Sequence, residues 1–165
     1  MESRPNRHNR GMKRLLPILG ILSLSVFAQN GPTNPGVSFA QPGSTASIKL
    51  ELSPAKGVLF NRLGPSNITL QNPYGKPLEL ALKDGKQNAE EPDNYWDSVP
   101  ALEFKLPVPK NAKAGTVQLE AEAVLFLCDK GINICYREAR DFKIELKIGT
   151  TGQNKATVLT LEAPK

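Results

Sequence analysis

Two side chains in this sequence carry obvious covalent chemistry, Cys128 and Cys135, the only cysteines in the chain. Between them run Asp129-Lys130-Gly131-Ile132-Asn133-Ile134. Asp, Lys and Gly favour a tight turn, so the flanking segments are expected to form a hairpin whose ends the two sulfurs tie together. The single histidine, His8, and both methionines, Met1 and Met12, lie near the start of the chain. Downstream of them the sequence lacks the commonest metal ligand and the commonest general base. Copper sites of His and Met, His-containing zinc centres and Ser-His-Asp hydrolysis are therefore disfavoured together. No metal and no cofactor is expected. The chemistry that remains is that of a thiol pair, either an inert staple or an exchanging disulfide.

The compartment decides whether that pair is oxidised. Arg4, Arg7, Arg10, Lys13 and Arg14 make a basic leader, followed by an apolar run from Leu15 to Ala28. That run is shorter than the ~20 residues a membrane-spanning helix needs. It closes on Val26-Phe27-Ala28, a small-residue end of the kind signal peptidase accepts. Residues 1–28 are thus expected to be a signal peptide cleaved after Ala28, with the mature chain periplasmic or otherwise exported and no longer inserted in a membrane. A disulfide is the expected state there. The 21 basic and 16 acidic residues give +5. The leader holds five of the basic residues and one acidic residue, Glu2, which leaves 16 against 15. A domain near neutrality offers no footprint for nucleic acid or anionic membrane.

The remaining residues must build a frame for the cysteines. Residues 29–44, rich in Gly, Pro, Asn, Ser and Gln, are expected to be a flexible lead-in, and 45–165 the folded domain. Ile48, Leu50 and Leu52 alternate with charged residues, as do Leu102, Phe104 and Leu106, while Leu78, Leu80 and Leu82 alternate with Glu79, Ala81 and Lys83. The clearest strands flank the cysteine loop. Val117 to Leu127 places its apolar residues at odd positions, and Phe142, Ile144, Leu146 and Ile148 lie at even ones. No segment carries a helical apolar stripe. Short alternating strands punctuated by Pro and Gly predict an all-β, immunoglobulin-like antiparallel β-sandwich, expected to be a monomer.

Parity bears on the cysteines. Cys128 is even on a strand whose core face is odd, and Cys135 is odd on a strand whose core face is even. Without a bulge, both sulfurs point away from the main core, as exchange requires. A loop of about eight residues also gains only ~2.5 kcal/mol from closure, against ~4.7 for a 100-residue loop, so stapling is a weaker motive here. Val124 and Phe126 share the face of Cys128 and form an apolar collar, either a docking patch or the seat of a covering loop. Upstream, Tyr95-Trp96 on a polar loop is either a core anchor or a cover for the disulfide.

The run Ala123-Val124-Leu125-Phe126-Leu127-Cys128 through Cys135-Tyr136 resembles the redox loop of the N-terminal periplasmic domain of the thiol:disulfide interchange protein DsbD. Asp93-Asn94-Tyr95-Trp96, followed by Leu102 to Val108, is similar to that domain's acidic-aromatic cap loop and next strand, and the order and separation match from about Ser47 to Ile148. The resemblance implies an immunoglobulin-like sandwich; unlike that family, no membrane-spanning electron carrier or thioredoxin-like domain follows it before Lys165, so a stand-alone module is expected. Cys135 would form the mixed disulfide with a partner and Cys128 would resolve it. Tyr95, with Trp96 beside it, would shield the disulfide, and Asp93 would sit near the cap. Val124, Phe126 and Tyr136 would be partner-docking candidates, and Lys130 and Arg137 would favour a thiolate while Asp129 opposes it. Partners would be thioredoxin-fold periplasmic proteins or a membrane thiol-reductant transporter. Two further departures stand out: one extra residue between the cysteines, and Tyr136-Arg137-Glu138 where such domains often carry prolines. The alternative is a non-enzymatic exported binding or assembly module with a structural disulfide.

Overall fold

The computed structural model describes residues 33–163. The signal-peptide assignment therefore lies outside the described residues. Among those residues no helix is long and apolar enough to cross a membrane. Every regular element described is a strand, and the strands form two sheets packed face to face. One sheet holds β1 (Thr33–Asn34), β12 (Thr157–Leu161), β3 (Thr45–Pro54) and β9 (Leu102–Pro107), in that order. The other runs β2 (Val37–Ala40), β11 (Ile134–Ile148), β10 (Gly115–Asp129), β4 (Val58–Asn61), β8 (Tyr95–Ser98) and β7 (Lys86–Gln87). The strand β5 (Asn67–Leu70) pairs with the middle of β10 and carries β6 (Leu78–Ala81) on its far edge.

The period-2 patterns explain this packing. In β3, Ala46, Ile48, Leu50 and Leu52 turn inward. Across the interior they meet the odd-numbered face of β10 and the even-numbered face of β11, with Phe60, Phe104, Leu106, Leu159 and Leu161 filling the same core. Each such side chain stabilises by roughly 1.5–3 kcal/mol through removal from water. The outer face of β10 and β11 carries Glu120, Glu122, Asp141 and Lys143, which gives the two long strands a single allowed register.

The predicted β-sandwich is thus present, with two departures from the sequence reading. Two of its pairings are parallel: β12 runs alongside β3, and β2 alongside β11. Alternation shows which face is buried but is blind to strand direction. The second departure is the lead-in, because Val37–Ala40 forms a strand instead of a flexible tether. Ser38 and Ala40 are buried, and at Gly36 an added Cβ would come within 2.4 Å of the Lys155 carbonyl oxygen. The backbones meet there at a distance only glycine permits. Four residues are too few for a period to stand out among so many small ones.

Candidate functional site

The site is the far end of the β10–β11 ribbon. These strands pair along their whole length without a bulge, so Cys128 falls directly opposite Cys135, at the last pair but one before the loop. The two are joined in a disulfide, with their Cα atoms 4.0 Å apart. That spacing belongs to a narrow, non-hydrogen-bonded pair, in which facing side chains approach most closely. Beyond it the chain reverses through Lys130 to Asn133. Asp129 accepts a hydrogen bond from Gly131 N–H at 2.7 Å, and Asn133 takes a left-handed φ of 54° that asparagine tolerates well.

Parity places both cysteines on the outer face of the sheet, as the sequence indicated. They are not equivalent there. Cys128 is 2 % exposed, whereas Cys135 is exposed. The reason is the neighbouring strand: along β10, β4 pairs with Leu127, Cys128 and Asp129, which puts Leu59 opposite Cys128 on the same face. Leu59 is also buried, so this end of an otherwise charged face is covered. Asn61, two residues along β4 on that face, donates from Nδ2 to Cys128 Sγ at 3.7 Å. On the other side, Cys135 stands at the ribbon's free edge, next to Arg137 on the same face.

A second segment closes the β4 side. Asn61 pairs with Tyr95 in β8, and Phe60 pairs with Trp96. The adjacent aromatics therefore split between faces. Tyr95 lies on the disulfide face, half-buried, with Lys130 Nζ 4.9 Å from its ring centroid. Trp96 points inward, 7 % exposed within the core. This corrects the expectation that Trp96 helps cover the disulfide. Asp93 is exposed at the tip of the same loop. The acidic residue that engages the cysteine hairpin is instead Glu91, which forms an ion pair with Lys130. That contact holds the Glu91 carboxyl below the usual carboxylate range and raises the Lys130 ammonium. Lys130 is consequently occupied by Glu91 and Tyr95, not aimed at a sulfur as expected. Arg62, just after β4, donates to the Pro92 carbonyl and stacks 5.5 Å from the Trp96 centroid, clasping the loop from below.

The three docking candidates fare differently. Val124 and Phe126 are half-buried on the disulfide face. Phe126 seats the turn after β4: its N–H donates to Ser66 Oγ at 2.9 Å, and a Cβ on Gly64 would meet its side chain at 2.4 Å. The collar is thus largely the seat of a covering loop. Tyr136 is on the opposite face, packed toward the core, where its hydroxyl donates to the Glu162 carbonyl at 3.1 Å and burial pushes its pKa up to about 12. It is one residue out of phase with Cys135 and cannot share its face. Among the described residues, the exposed large apolar side chains are others: Leu63, Ile132 and Ile134. Ile132, in the turn, and Ile134, where β11 begins, are two apolar residues between the cysteines and were a usable sequence signal, since turns favour polar residues.

Behind the site, the inner face of β11 holds a buried ion pair. Arg140 donates to Glu138 Oε1 and, at 2.7 Å, to the Thr160 carbonyl, while Glu138 Oε2 has no hydrogen-bond partner among the described residues. Burial pushes the Glu138 carboxyl above its usual value, with Glu162 adding to the shift and Arg140 opposing it. A carboxyl with a raised folded pKa binds its proton more tightly in the native state, so its contribution is full in acid and declines as pH rises through the folded pKa. Urea unfolding from about pH 4 to pH 7 should therefore show wild type losing stability relative to Glu138→Gln. A flat difference would indicate that Arg140 compensates the charge completely. The chain matches no family model, and no curated protein matches it.

Proposed function

We propose that this chain is an exported thiol–disulfide exchange module, an immunoglobulin-like relative of the N-terminal domain of the thiol:disulfide interchange protein DsbD. The observation that carries this reading is the asymmetry of the disulfide: off the main core, at a hairpin tip, with Cys135 exposed and Cys128 buried. A partner thiolate reaching this end meets Cys135 first. It forms a new S–S bond there, and the bond to Cys128 breaks with its electron pair going to Cys128 Sγ. Attack by the partner's second thiolate on its own mixed-disulfide sulfur then releases Cys135, leaving the partner oxidised and this domain reduced. The reverse sequence delivers those electrons to an oxidised partner. A thioredoxin-fold protein of the periplasm, or a membrane thiol-reductant transporter, has the required dithiol. The exposed Leu63, just after β4, and Ile132, in the turn between the cysteines, give such a partner apolar side chains to dock against. Tyr95, held by Lys130, borders the pair as a displaceable cover. No cofactor is needed.

A second reading has one observation in its favour. The burial of Cys128 and Leu59 is what a structural staple in a binding or assembly module would also show. The reduction potential separates the two. Under the exchange reading, the pair equilibrates with redox buffers at about −120 to −270 mV, and circular dichroism of the reduced protein remains native. A value below about −300 mV, or unfolding on reduction, assigns the disulfide to the staple.

A further inference from the structure

Opening the disulfide at Cys135 creates a problem at the other sulfur. Cys128 is 2 % exposed, and burial in apolar surroundings disfavours a thiolate. Of the hairpin's cations, Lys130 is committed to Glu91 and Tyr95, and Arg137 stands on the Cys135 strand, exposed. Leu59, opposite Cys128, offers no polar group. The polar group that the structure brings to this sulfur is the side-chain amide of Asn61.

Its orientation is fixed by a second bond. Leu63 N–H donates to Asn61 Oδ1 at 2.9 Å, an Asx turn that consumes the carbonyl end of the amide. The NH2 end is left facing Cys128 Sγ at 3.7 Å. A disulfide sulfur is a weak acceptor, so this contact contributes little while the bond is closed. A thiolate is a charged acceptor, and hydrogen bonds to charged groups are roughly twice as strong as neutral ones. The amide therefore interacts more strongly with the opened state than with the closed one, which is the requirement for assisting a step.

We propose that Asn61 is the hydrogen-bond donor that stabilises the leaving thiolate of Cys128, so that the disulfide opens toward Cys128 when a thiol attacks Cys135. The proposal rests on the exchange reading for its purpose, but its chemistry concerns this chain alone. As the partner sulfur bonds to Cys135 Sγ, the electron pair of the broken bond collects on Cys128 Sγ, and Asn61 Nδ2–H meets that charge without proton transfer.

The test uses Asn61→Ala and Asn61→Asp. The aspartate keeps an oxygen for Leu63 N–H, and so keeps the turn, while replacing the donor with a negative charge. Thiolate absorbance of Cys128 is titrated in the Cys135→Ala protein, and opening of the intact disulfide by dithiothreitol is timed. Loss of a hydrogen bond to a charged group should raise the Cys128 pKa by about one unit, a tenfold drop in thiolate at a given pH. Asn61→Asp should shift it further, and both variants should open about tenfold more slowly. An unchanged or lowered Cys128 pKa in either variant, Asn61→Ala included, overturns the proposal. Neither readout involves a partner, so the proposal can fail while the reduction potential supports exchange, and it can hold where the potential assigns a staple.

Discussion

Trp96→Ala should lower the unfolding free energy by about 3–5 kcal/mol, while Tyr95→Ala, one residue away, should cost about 1 kcal/mol or less and speed reduction of the disulfide several-fold. The contrast follows from the alternation of β8. Trp96 is buried beside Phe60, and its replacement leaves a cavity in the core that the surrounding strands only partly collapse into. Tyr95 faces the other way, half-exposed, and its main-chain bonds to Asn88 and Glu91 survive truncation of the ring. What is lost with the ring is its packing beside Asn61 and under Lys130. Urea denaturation gives the first quantity, and alkylation after timed exposure to dithiothreitol gives the second. Equal stability losses would mean that both rings belong to the core. An unchanged reduction rate in Tyr95→Ala would remove the cover from the mechanism.

The face of each cysteine was legible in the sequence because the alternation of Val117 to Leu127 and of Phe142 to Ile148 runs unbroken into the loop, so parity carries over to Cys128 and Cys135. The same parity applied to Tyr136 puts it on the inner face, and applied to Tyr95-Trp96 it separates the two rings. The resemblance to a known cap loop and redox loop groups these residues by nearness in sequence, whereas the pleat distributes them by alternation. Asn61, Glu91 and Leu63 could not be read at all. Their roles depend on β4 pairing with β10 and β8 with β4, contacts between segments some 30 to 70 residues apart that leave no local pattern. The strand at Val37–Ala40 escaped for the opposite reason: its buried face carries only the small Ser38 and Ala40, and it is held by parallel pairing with β11 and the close backbone approach at Gly36.

The other large effect expected is at the sulfurs themselves. Exchange rate depends on access to the attacked sulfur and on how well the departing one carries charge. Here the two requirements fall on different residues. Cys135 is exposed at the ribbon edge, while Cys128 lies under cover with an amide donor beside it. Attack should therefore favour Cys135 on the order of tenfold or more. In single-cysteine variants, the Cys135 thiolate of Cys128→Ala should attack the disulfide of an oxidised partner and hold it as a mixed disulfide that this chain has no second sulfur to resolve. Cys135→Ala should capture little, and only as fast as the covering segments move aside.

The most direct measurement leaves both cysteines in place. The oxidised protein is mixed with a reduced thioredoxin-fold protein that retains its attacking cysteine and lacks its resolving one, and the adduct is quenched and mapped by mass spectrometry. Exchange at this site predicts a mixed disulfide on Cys135 and a free thiol at Cys128, formed while circular dichroism remains native. Adducts on Cys128, or none until the protein unfolds, would contradict it.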